Sequence, residues 1–288
     1  MKRFLIILMT LLILISSIGC SSQETADLVA TTLPVYDFTT QLCQGTDLYI
    51  GRLITENVSC LHDYTLQVSQ MKMVEEADSI IISGAGLEDS FGNILSGCNI
   101  IDSSTGIVSG CVGHTINHGE HHHETDPHIW LDPTNAKRMA QNICDELCLL
   151  YPEYQSTFQQ NLTLLIEKFD ALQKYGNAQL SALSVRELIT FHDGFGYFAE
   201  SFNLTILEAI EEESGSEASA AEIIHLIDLV ETHSLPAIFI ETNGSDACAG
   251  IIHNETGADI YALDMAMSGT SYFDAMYHNI DTIKEALG

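Results

Sequence analysis

Basic residues are scarce in this 288-residue chain: ten lysines and arginines stand against forty aspartates and glutamates, for a formal charge of −30. Such a field repels nucleic acid and anionic lipid and draws cations. Salt screens it beyond about 8–10 Å, so it favours capture without marking a site. No apolar run reaches the roughly 20 residues that a membrane-crossing helix needs. No Cys-x-x-Cys occurs, which argues against a redox dithiol or a zinc ribbon. His-Glu-x-x-His is missing, as is the Pro-Cys-x-x-Cys that completes a deaminase site, so no signature of an open, catalytic zinc is present. The turn Ser83-Gly-Ala-Gly86 lacks the third glycine of a dinucleotide fingerprint and reads as a strand-to-helix turn.

What the chain does have begins with a leader. Met1, Lys2 and Arg3 form a basic start, residues 4–15 are apolar except Thr10, and Ser16, Ser17, Ile18 and Gly19 lead to Cys20. That order reads as a secretory signal over 1–19 and as an extracytoplasmic location. The end of the segment resembles a bacterial lipobox, with Ser17 where leucine is usual. Cys20 would then be the first mature residue, acylated and holding the protein to the membrane. Seven cysteines remain, so at least one stays unpaired within the monomer. Cys144 and Cys148, four apart on an expected helix, read as small side chains on one buried face.

Beyond the leader, β-rich runs alternate with segments of helical period, the pattern of an α/β fold. Strands are expected at 28–32, 79–83, 187–190, 237–240 and 260–263, and helices at 68–77, 133–150 and 272–287. Ser219 and Glu222 form a capping box for a helix running to Val230. Between 153 and about 183, Phe158, Leu162, Leu165, Phe169 and Leu172 recur at three-to-four spacing. A helix of about 30 residues spans about 45 Å, enough for a stiff connector beside two domains. Gly176 and Asn177 mark a point where it can break. The expected organisation is an N-terminal α/β lobe over 20–150, a linker helix over 151–183 and a C-terminal α/β lobe over 184–288. The acidic run 208–217 reads as a solvated loop and helix start.

Three histidines stand out: His62 in Leu61-His-Asp-Tyr64, His128 in Asp126-Pro-His-Ile-Trp-Leu-Asp-Pro133, and His192 in Thr190-Phe-His-Asp-Gly-Phe-Gly-Tyr-Phe198. His192, Glu241 and Asp264 each follow an expected strand, and in open α/β sheets ligands collect at the carboxyl ends of strands. Three imidazoles and one carboxylate make a closed four-coordinate zinc shell, which holds an ion rather than activating water. Asp126, Asp132 and Asp193 are candidates to orient a ligating ring through its second nitrogen, or to cap turns. A second cluster, His114, His118, His121, His122 and His123, lies in a glycine-flanked loop over 110–125 and reads as weak metal sites. Imidazole suits zinc better than manganese, which prefers oxygen.

These blocks resemble, in order and over nearly the whole mature chain, the metal-specific solute-binding lipoproteins of zinc and manganese ABC importers. The strongest match is Asp126–Pro133; Thr190-Phe-His192 with Tyr197-Phe-Ala199, Ile238-Phe-Ile-Glu241 and Leu263-Asp264 follow. The resemblance implies two α/β lobes joined by a single long helix, with the metal between the lobes. It also implies a non-enzymatic, monomeric protein that passes Zn2+, with Mn2+ possible, to a membrane permease. Carried over by position, the ligands are His62, His128, His192 and Asp264, with Glu241 in reserve. Histidine rather than glutamate at 192 goes with the zinc-type members. The chain departs from the family at its first ligand, where a Pro-His-x-Tyr-x-Pro pattern has Leu61 and Leu66 in place of both prolines. The alternatives are a manganese-binding member of the same family, or an exported zinc hydrolase with Glu241 or Asp264 as general base.

Overall fold

The structure is a computed structural model, described here for residues 25–56, 58, 61, 64–108, 126–210, 218–242, 244 and 246–288. The leader, Cys20, His62, the histidine loop and residues 211–217 lie outside the described residues.

Two four-stranded, wholly parallel sheets form the two lobes. In the first, β1 (Leu28–Ala30), β2 (Ile50–Arg52), β3 (Ser79–Ile82) and β4 (Ile100–Asp102) lie in the order β2-β1-β3-β4. Leu28 sits opposite both Ile50 and Ser79. In the second, β5 (Glu187–Thr190), β6 (Thr205–Ala209), β7 (Ala237–Glu241) and β8 (Asp259–Leu263) repeat that order as β6-β5-β7-β8. Parallel strands need crossovers and are covered on both faces, which is why Leu28, Val29, Ile80, Ile81, Leu188 and Ile189 are all buried instead of alternating with polar residues. The acidic run departs from its expectation at its start, since Glu208 and Ala209 belong to edge strand β6.

The helices are α1 (Leu33–Leu42), α2 (Val68–Glu76), α3 (Gly92–Leu95), α4 (Pro133–Leu150), α5 (Gln155–Leu180), α6 (Gly196–Ser201), α7 (Ala220–His233), α8 (Ala247–Thr256) and α9 (Tyr272–Leu287). α4 starts where Asp132 accepts the Thr134 N–H at 2.7 Å and Pro133 occupies the first turn, where its missing N–H costs nothing. α7 carries the expected Ser219/Glu222 capping box. α5, 26 residues long, is the connector, and its stripe from Phe158 to Leu172 is buried. It runs through Gly176 and Asn177 without a break. The phenyl ring of Phe202 lies where a β-carbon on residue 176 would stand, so glycine is there for close approach and not for a bend.

A continuous core runs through both lobes and the helices between them. Its centre is an aromatic group drawn from three helices: Phe38 of α1 meets Phe169 of α5 and Tyr272 of α9, with ring centroids 5.2 and 5.0 Å apart, edge to face. The Tyr272 N–H donates to Asp37 Oδ2 at 2.9 Å, so the last helix returns from the second lobe to the first. A smaller cluster, including Ile189, Leu226, Val230, Ile238 and Ile252, fills the outer side of the second sheet. Among the described residues no helix is long and apolar enough to cross a membrane.

Candidate metal centre

His128 precedes the single turn Ile129–Leu131 and is buried; His192 ends the segment leaving β5. Their rings meet edge to face at a centroid distance of 5.1 Å, with the two Nε2 atoms 3.4 Å apart. On the far side of each ring stands a carboxylate. Asp126 Oδ1 lies 2.8 Å from His128 Nδ1 and also accepts the His128 backbone N–H at 2.9 Å. Glu241 Oε1, at the end of β7, lies 3.2 Å from His192 Nδ1. A neutral imidazole with its proton on Nδ1, the nitrogen beside each carboxylate, leaves its Nε2 lone pair available to a cation. Without an ion one ring can donate Nε2–H to the other; with both protons on Nδ1, the two Nε2 lone pairs are placed to share a cation. Zn–N bonds of about 2.0–2.1 Å at a tetrahedral angle give an N···N edge of about 3.3–3.4 Å, the separation seen here.

The space for this pairing depends on Gly194. A β-carbon there would come within 2.7 Å of His192 Cδ2, 3.0 Å of His128 Nδ1 and 2.5 Å of Met265 Cε. Beneath the rings, Trp130 packs edge-on against His128 at 5.3 Å and donates its Nε1–H to the Met265 carbonyl at 2.8 Å. Tyr272 Oη donates to the Trp130 carbonyl at 2.8 Å. The imidazole pair therefore sits on a floor whose polar ends are all bonded.

Asp264 follows β8. Its backbone N–H and C=O are both taken by the Asn279 amide, at 2.7 Å each, and its Oδ1 accepts the Ala266 N–H at 2.7 Å. Its carboxylate lines a small cleft together with Glu241, Thr242, Val58 and Met267, but it makes no bond to either imidazole. Of the expected ligands, then, the structure brings His128 and His192 together, puts Glu241 behind His192 and leaves Asp264 on the cleft wall. Among the described residues no three histidine, cysteine, aspartate or glutamate side chains are gathered closely enough to hold an ion. Of the orienting candidates, Asp126 takes that role towards His128, while Asp132 caps α4 and accepts from Ser201 Oγ at 3.2 Å. Leu61 and Leu66, which stand where the family pattern has prolines, are buried, and Tyr64 between them accepts a 2.8 Å bond from Gln70 Nε2.

Gly194 and Met265 were not singled out by sequence pattern, although Gly194 lies inside the His192 motif. Glu88 was missed as well. It is buried at the ends of β1 and β3, where it accepts Thr31 Oγ1–H at 2.6 Å and the Ser83 and Gly84 N–H groups at 2.8 and 3.0 Å. Burial lifts its carboxyl to about 7 in spite of these donors.

Known proteins repeat this architecture. The chain is 28% identical over 311 residues to the zinc-binding lipoprotein AdcA of Streptococcus pneumoniae, an alignment covering 99% of this chain and 61% of that protein. It thus spans about three fifths of the length of that curated relative. The crystal structure of ZnuA superposes with a TM-score of 0.80 at 26% identity, over 92% of this chain and all of that one. The Zn(II)-bound ZnuA-like domain of S. pneumoniae AdcA does so with a TM-score of 0.76 at 25% identity, over 92% of this chain and 99% of the domain. The model of the periplasmic zinc-uptake complex component A, ZnuA, matches residues 28–286, and the chain belongs to that family.

Proposed function

We propose that this protein binds a zinc ion between its lobes outside the cytoplasm and hands it to the permease of an ABC importer. The observation that carries the reading is the His128–His192 pair, two imidazole nitrogens at the spacing of a tetrahedral zinc edge, each ring backed by a carboxylate. His128 and His192 serve as two ligands, Asp264 swings from the cleft wall as the third, and His62 supplies the fourth. Glu241, held in reserve as a ligand on sequence grounds, fits better as the group that orients His192, because it meets the nitrogen facing away from His128. A closed shell of this kind stores and releases an ion without opening a water position, so no turnover is expected. The family membership and the zinc-bound structural relative support zinc as the cargo, with manganese as a weaker competitor.

The surrounding assignments belong to the same proposal. The mature chain begins at acylated Cys20 and acts as a monomer tethered to the membrane; the lobes span 20–150 and 184–288; and the loop histidines 114, 118, 121, 122 and 123 collect further ions weakly. Growth of a zinc-uptake-deficient host on limiting zinc tests the transport step. Rescue by the wild-type gene but not by His128→Ala/His192→Ala supports it, and equal rescue by both rejects the site.

A further inference from the structure

Arg52, the last residue of β2, reaches from the first lobe into the second. Its Nη1 donates to the Gly269 carbonyl and its Nη2 to the Met267 carbonyl, each at 2.7 Å. Its Nε is buried without a partner, and among the described residues it forms no ion pair, in a chain with four acidic residues for every basic one. The bonded segment is the loop that leaves Asp264. Along it the carbonyls of residues 265, 267 and 269 are all satisfied from the first lobe, the first by Trp130 and the other two by Arg52. Within the loop Ala266 is held in the left-handed region at φ 55°, a conformation a non-glycine residue does not favour, and this turn aims the Ala266 N–H at Asp264 Oδ1. The Asn279 amide holds the backbone of Asp264 itself, while the loop that follows it is pinned from across the cleft.

Resting on the zinc-binding reading above, we propose that Arg52 is a positioning residue for metal retention: by gripping the Met267 and Gly269 carbonyls it ties the loop after Asp264 to the first lobe, keeps the two lobes together beside the imidazole pair and slows escape of the ion. Neutral carbonyls suit this task. They give charge-assisted bonds, yet they release more readily than a carboxylate fork would, so the lobes can part at the permease.

The test is the rate at which zinc leaves the full-length protein when challenged with excess chelator, read by Trp130 fluorescence or chelator absorbance, for wild type, Arg52→Met and Arg52→Lys, with His128→Ala/His192→Ala as control. Losing both bonds should speed release from Arg52→Met by roughly a hundredfold, the lower end of the order expected for two charge-assisted bonds. Arg52→Lys, which keeps the charge and one bond, should fall between, and the association rate should change little. Unchanged release from Arg52→Met or Arg52→Lys overturns the proposal, including the case in which only the melting temperature of the metal-free protein drops, which would make Arg52 purely structural. Should Arg52→Met fail to fold, the Arg52→Lys rate decides alone. If wild type retains no more zinc than the double-histidine control, the zinc site itself is wrong and the role of Arg52 falls with it.

Discussion

His128 and His192 approach through their Nε2 atoms at 3.4 Å while Asp126 and Glu241 occupy their Nδ1 sides. The four side chains come from three places in the sequence, and the two rings are already in register for a shared ion. Preorganisation of this kind lowers the ordering cost of binding, since both rings are oriented before the cation arrives.

The carboxylates behind the rings are therefore expected to matter almost as much as ligands. Asp126→Asn and Glu241→Gln should each weaken zinc binding by about 10- to 100-fold, the usual range for partners of ligating histidines. Competition titration against a chromophoric chelator measures this. A Glu241→Gln loss as complete as that of His192→Ala would instead make Glu241 a direct ligand.

Gly194→Ala places a methyl carbon against both imidazoles and the Met265 methyl. The Met265 side chain can swing away, but the rings are fixed by Asp126 and Glu241. Overpacking here costs about 1–3 kcal/mol, and it should appear as weaker zinc affinity with little change in circular dichroism.

Gly176→Ala sets two effects against each other. Alanine gains about 0.8–1.0 kcal/mol in a helix interior, but its β-carbon would occupy the volume of the Phe202 ring, at a cost of about 1–3 kcal/mol. The clash should win, so urea denaturation should show net destabilisation. The double variant Gly176→Ala/Phe202→Ala should be destabilised by less than the sum of the two single variants, because the clash is gone once the ring is removed.

Glu88 gives the fold a pH dependence with a definite sign. Unfolded, its carboxyl loses its proton near 4.5; folded, it keeps it to about 7. Between these values the folded state holds the extra proton, so stability falls as pH rises across that window and levels off above it. The full effect is about 3 kcal/mol at most. Glu88→Gln, which stays neutral, should flatten the slope between pH 5 and 7.5 in chemical denaturation.

Much of this was legible in the sequence because it rested on strong local signals. The stripe from Phe158 to Leu172 repeats over four turns, β3, β5 and β7 carry largely buried apolar runs, and β8 is legible from its β-forming Ile260-Tyr-Ala-Leu263 although only Leu263 is buried. β2 is broken by Gly51 and Arg52 and β4 is only Ile100-Ile-Asp102, so neither stands out as a β-rich run, and β6 carries Glu208 on an edge where burial makes no demand. The histidines were visible as motif residues. The function of Gly194 was not, because it depends on two rings and a methionine that meet only after folding. Arg52 and the Met267 carbonyl are separated by 215 positions, and a bond to a backbone carbonyl leaves no trace in residue type. Glu241 sat where a ligand was expected, at the end of β7, yet which ring nitrogen it faces is a matter of a few ångströms that spacing does not carry.

The most direct measurement is native mass spectrometry of metal-stripped protein titrated with zinc, comparing wild type with His128→Ala/His192→Ala. One zinc ion should remain on wild type at chelator concentrations that strip every other ion, and none should remain on the double variant. Equal retention of a tightly held zinc by both proteins would contradict a centre built on His128 and His192.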